Sequence, residues 1–191
     1  LLPLKHVRVW RFSLYYVAVF GAYVALSSAL PKYYETQYGV ELWQAGLLTA
    51  LFIFPASLLR PVGGWMSDKI GARRIMYWTF GLMLFSTGVL IMPSGFITID
   101  VATSKAADGT AEILPWHLGL WAFTFFVVLL GCSMGIGKAA VYKHIPEYFP
   151  QDVGAVGGLV GMLGALGGFF LLPVFGYAVA LTGIPTALFG V

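Results

Sequence analysis

Apolar positions in this chain come in long unbroken blocks, not in the alternating pattern of a half-buried strand. A helix that spans a bilayer needs about 20 mostly apolar residues. Five blocks meet that length, at roughly 11–31, 43–66, 74–94, 116–142 and 153–176, and a sixth begins near Pro185 and runs to Val191. The pattern predicts an all-α membrane protein with five full spans and the start of another. Polar residues collect between the blocks, in "KYYETQYGVELWQ", in the tighter "GWMSDKIGARR" and in "GFITIDVATSKAADGTAEILP" over 95–115. The last of these carries no catalytic cluster. The final block is short, and the N-terminus has neither an initiator Met nor a signal-peptide cleavage pattern. The expectation is therefore an internal fragment of a longer membrane protein, truncated in its last helix.

Composition agrees with the blocks. The chain is 59% hydrophobic and 10% charged, where soluble domains carry about 25% charged residues. A net charge of +3 gives no reason to expect a nucleic-acid partner. The single Cys132 has no intrachain partner for a disulfide.

The positions of the basic residues say more than their sum. Lys5, Arg8, Arg11, Lys69, Arg73 and Arg74 fall on one side of the predicted spans, and only Lys32 and Lys105 on the other. By the positive-inside rule the first side is cytoplasmic. The expected topology is multi-pass in the inner (cytoplasmic) membrane, with the fragment's N-terminus inside and the 95–115 loop outside.

Arg60, Lys138 and Lys143 remain, and all three fall within predicted spans. Arg60 stands eight residues before Asp68, roughly 12 Å deep at about 1.5 Å per residue. That is near the midplane of a hydrocarbon core about 30 Å thick. A charge there costs at least about 2.5 kcal/mol, so it marks a cavity, a partner or a site. No Asp or Glu occurs inside a predicted span to neutralise it. An anionic substrate would supply the missing charge, and a planar guanidinium suits a planar oxyanion through paired hydrogen bonds.

Other chemistry is unsupported. "GCSMGIGKAA" looks like a phosphate loop but fails at Cys132 and Ala139. His6, His117 and His144 have no ligand spacing. No Ser-His-Asp or Cys-His set is readable. Neither an enzyme, a cofactor nor a metal site is expected.

Two stretches carry a family resemblance. In "GWMSDKIGARR", Gly64, Asp68, Lys69, Gly71, Arg73 and Arg74 stand at the spacing G-x-x-x-D-[RK]-x-G-x-[RK]-[RK]. Physically, the glycines permit close approach and a sharp turn, Asp68 is favoured near the start of the next helix, and the arginines hold the anionic leaflet. This resembles the cytoplasmic loop motif of the major facilitator superfamily. In "GAVGGLVGMLGALGGFFLLP", glycines at 154, 157, 161, 164 and 168 share one helix face, widened by Gly158 and Gly167. Small residues on one face let helices approach closely in lipid. The run resembles the glycine-rich signature of the nitrate/nitrite porters (NarK-type) within that superfamily, and "GIGKAAVYKHIPEYFP" is similar to their tenth-helix region.

The resemblance implies the C-terminal six-helix bundle of a twelve-helix transporter, with the N-terminal half missing. It implies alternating-access transport of nitrate and nitrite, by exchange or with protons. It places Arg60 on the anion, with Tyr16 and Phe20 beside it and Gly158 and Gly161 bringing backbone near. Some relatives have Ser where Gly161 stands, so a hydroxyl donor is absent here. Lys138, Lys143 and His144 are candidates for an inner vestibule, with His144 read as an edge residue. Transport of another small anion or organic acid, and a non-transporting membrane subunit, are the other readings left open.

Overall fold

A computed structural model describes residues 6–92, 97–100, 110–114 and 118–191. Among the described residues, four helices are long and apolar enough to cross a membrane: α1 (Val7–Tyr38), α2 (Leu42–Ile70), α4 (Leu120–Tyr148) and α5 (Val153–Thr182). Between them runs α3 (Ala72–Leu90). It is not one of the four, because Arg73 and Arg74 occupy its first turn. A 3-10 turn over Pro185–Gly190 follows α5 in place of the expected start of a sixth span.

α1, α2 and α5 overrun their apolar blocks, α3 stops at Leu90, short of 94, and α4 begins and ends later than 116–142. α1 continues through the polar "KYYETQY", so Lys32 and Glu35 pair one turn apart, at 2.9 Å, within it. Gly39 closes the helix at φ +63, and Glu41 and Gln44 form a capping box that starts α2. Glu35, Asp68 and Glu147 therefore lie inside helices, each in a last turn. The 95–115 region contains a two-stranded antiparallel pair, β1 (Ile97–Asp100) and β2 (Thr110–Leu114), with Thr98 opposite Glu112. Lys5, Lys105, Asp108 and His117 lie outside the described residues.

α4 is the element that α2 and α3 pack on. Gly131 sits against Phe52, Gly135 against the Ala56 carbonyl, and Gly63 against the Ile136 backbone, where an added Cβ would stand 2.8 Å away. These contacts bring the α2 and α4 backbones together without side chains between them, the packing that lipid favours. At one end, Tyr34 donates to Thr124 at 3.1 Å and Tyr38 to the Leu118 carbonyl at 3.0 Å, fastening α1 to α4.

α1 is not a regular α-helix. Val17–Gly21 forms a π-helical turn. Gly21 ends that turn against α5, where a Cβ would lie 3.0 Å from backbone atoms of Gly164, Gly167 and Gly168. Val17 and Val24 fill the space beside Gly167 and Gly168. The glycine stripe of α5 is thus a crossing face for α1, centred on 164–168.

Candidate functional site

Arg60 is placed by the α2–α4 crossing. Ala56 and Gly63, four residues before and three after it, seat α2 on Gly135 and Ile136. Arg60 itself stands at the exposed edge of the bundle, and its Nη2 donates to the Tyr16 hydroxyl at 3.5 Å. That is long for an N–H···O bond. Tyr16 is buried, at 3% exposure. Its ring stacks on Phe20 at 5.0 Å and meets Tyr142 edge-on at 4.9 Å. Gly164 lies against the Tyr16 ring with no room for a Cβ.

Lys138 belongs to the same cluster. It is 2% exposed, with Nζ 2.9 Å from the Tyr23 ring centroid and 5.6 Å from that of Phe20. The sequence reading put it in a vestibule, but the structure packs it beside the aromatic wall that touches Arg60. Lys143 is elsewhere, paired with Asp68. His144 lies at the basic end of the bundle, beside Arg8, Arg11 and Arg73. It is buried at 6% exposure, its Nδ1 donates to the Ala140 carbonyl at 2.8 Å, and its ring stacks on Tyr148.

The glycines divide. Gly161 faces the Tyr142 hydroxyl, which a Cβ there would approach to 2.7 Å, and that hydroxyl donates to the Gly157 carbonyl at 3.2 Å. Gly158 has open space around it and stands apart from this packing. Tyr142 and Tyr23 also belong to the cluster. A sequence signal existed for Tyr142, which lies one helical turn after Lys138.

Four helices therefore converge on two cations and an aromatic wall. Among the described residues neither Arg60 nor Lys138 has an ion pair, and the two charges repel one another. The arrangement can hold a small anion: a guanidinium fork at the edge, an ammonium deeper in, and rings that exclude water and so strengthen both attractions.

The sequence profile of the Major Facilitator Superfamily matches residues 12–191. The chain belongs to the Major Facilitator Superfamily. It is 66% identical over 187 residues to the "Probable nitrate/nitrite antiporter NarK1" of Thermus thermophilus, covering 98% of this chain and 41% of that protein. It is 32% identical over 193 residues to the "Probable nitrate transporter NarT" of Staphylococcus haemolyticus, covering 98% of this chain and 44% of that protein. It is 36% identical over 166 residues to the "Nitrite extrusion protein" of Bacillus subtilis, covering 87% and 36%. The chain spans about two fifths of the length of these relatives.

Within this facilitator-superfamily chain the loop motif is built differently from its sequence reading. Residues 64–70 are helical, and the turn is Gly71 alone, at φ +97, a conformation that glycine adopts without strain. Asp68 is on α2 and its carboxylate is held by Lys143 of α4. A Cβ at Gly64 would meet nothing within 4 Å, and the close approach falls on Gly63 instead. Lys69 stacks on Trp65 at 4.3 Å, Arg73 lies over Tyr77 at 5.8 Å, and Arg74 is exposed.

Proposed function

We propose that the chain is the C-terminal half of a secondary transporter that moves nitrate and nitrite across the inner membrane by alternating access. The names of the relatives support this choice of substrate. The observation that carries it in the molecule is Arg60: mid-span, without a carboxylate, and aimed at Tyr16 on the open edge of the bundle. A second half closing over that edge would enclose the anion between two bundles, with the site near the midplane as such transporters have it. Tyr16 and Phe20 form the wall beside the anion, and the Gly157–Gly161 backbone of α5 lies next to Tyr142.

Orientation follows the basic end. Arg8, Arg11, Arg73 and His144 line one cleft of about 560 Å³ at that end, which is assigned to the cytoplasm. The test is reconstitution of the full-length parent into vesicles loaded with nitrite, followed by uptake of labelled nitrate. Saturable uptake that internal nitrite stimulates is expected. Vesicles no better than empty ones would remove nitrate and nitrite as substrates.

A further inference from the structure

We propose that Lys138 is a second cation of the anion site, contacting the bound anion together with Arg60. The inference rests on the anion-transport reading above and adds to it a proton-sensitive ligand. Lys138 is buried and has no carboxylate partner among the described residues. Its ammonium lies on the face of Tyr23, whose own hydroxyl is committed to the Ile53 carbonyl at 3.2 Å. It also lies 5.6 Å from Phe20, whose other neighbour is Tyr16, the residue that Arg60 reaches. A ring face holds an ammonium through an N–H turned toward it, and the N–H donors directed away from the Tyr23 ring are left for an incoming oxyanion.

Charge points the same way. Two repelling cations in a low-dielectric setting are stabilised by a counter-charge, and the described residues supply none at that depth. The class of ligand is a small monovalent oxyanion. Arg60 recognises its plane through the guanidinium fork, and Lys138 adds a compact point charge.

Lysine differs from arginine in being able to lose its proton. A bound anion favours the charged ammonium, so anion binding and proton retention at Lys138 are linked. Affinity should be steady at low pH and fall as pH rises through the lysine's titration, by at most about tenfold per pH unit. The groups around Lys138 are Tyr16 and Tyr23 of α1, Arg60 of α2 and Tyr142 of α4. α5 carries no charged side chain, and the charges of α3 are Arg73 and Arg74 in its first turn. No arginine titrates in the range concerned, and the Lys138→Arg variant keeps the same tyrosines.

The experiment is nitrate titration of the purified full-length parent from about pH 6 to about pH 11, through the ordinary lysine range. Wild type, Lys138→Arg, Lys138→Gln and Arg60→Lys are compared, with folding checked by size exclusion. The wild-type affinity should fall with rising pH. Lys138→Arg should bind with a flat profile, and Lys138→Gln should bind about tenfold more weakly with a flat profile. If Lys138→Gln does not fold, the Lys138→Arg profile decides, and a wild-type slope in it overturns the assignment. Wild-type affinity and slope in Lys138→Gln overturn it equally. Loss of binding in Arg60→Lys with unchanged Lys138 variants removes Lys138 alone. A wild type that does not bind nitrate removes the transport reading together with Lys138.

Discussion

Arg60 of α2 and Tyr16 of α1 meet as donor and acceptor at 3.5 Å, one from the exposed edge of the bundle and the other from its interior. The bond is too long to account for placing a guanidinium there. Arg60 is therefore held near its site and still has donors to spare.

Replacing Arg60 by Lys keeps the charge and removes the planar fork. Losing one charge-assisted hydrogen bond removes roughly 1.5–3 kcal/mol, and every 1.4 kcal/mol is about tenfold. Nitrate affinity of the full-length parent should fall about ten- to a hundredfold at neutral pH, with an unchanged size-exclusion profile. Affinity equal to wild type would take Arg60 out of the site.

Gly164→Ala puts a methyl group into the Tyr16 ring. Overpacking of this kind costs about 1–3 kcal/mol, and it also displaces the aromatic partner of Arg60. Thermal stability in detergent and nitrate affinity should both decline. Gly154→Ala, which meets nothing within 4 Å, is the control. Equal behaviour of the two variants would mean that α1 does not cross α5 at Gly164.

Gly63→Ala and Gly64→Ala separate packing from motif. A Cβ at 63 stands 2.8 Å from the Ile136 backbone, and one at 64 meets no neighbour in this chain. The first should lower the melting temperature of the full-length parent, since backbone cannot rotate aside as a side chain can. The second should leave melting within error of wild type. A reversed order in a thermal-shift series would refute the α2–α4 crossing described here.

Asp68 and Lys143 are both about half exposed, at 54% and 41%. Solvent screening leaves such a pair worth about 0–1 kcal/mol. Asp68→Asn should therefore shift melting little, and a double-mutant cycle with Lys143→Gln should give a coupling below about 1 kcal/mol. A coupling of several kcal/mol would place the pair in a dry interface.

How far the sequence could be read depended on what each signal measures. Apolar blocks located the helix interiors but not their ends. Tyr33, Tyr34 and Tyr38 extend α1 by packing on Phe123, while the polar residues among them looked like loop. Arg60 stood out because a charge in an apolar run is costly. Lys138 obeyed the same logic, but no single-sequence signal told which way α4 faces, so its place beside Tyr23 was out of reach. Gly64 carried the motif, yet its neighbour Gly63 carries the contact, because a motif records spacing and not which backbone lies opposite. The π-helical turn left no trace in composition, since i→i+5 bonding demands no particular residue.

That turn has a consequence for the chain's tolerance of length change. In a regular α-helix, removing one residue turns everything beyond the cut by about 100°. Such a deletion would swing Tyr16 away from Arg60, or Tyr23 away from Lys138. Val17–Gly21 already holds one residue more than an α-helical turn takes. Deleting Ala18 would let the segment relax to ordinary winding, with Tyr16 and Tyr23 still on their present sides. Five residues in α1 thus form a place where the gene can lose a codon and the two ends of the helix stay in step.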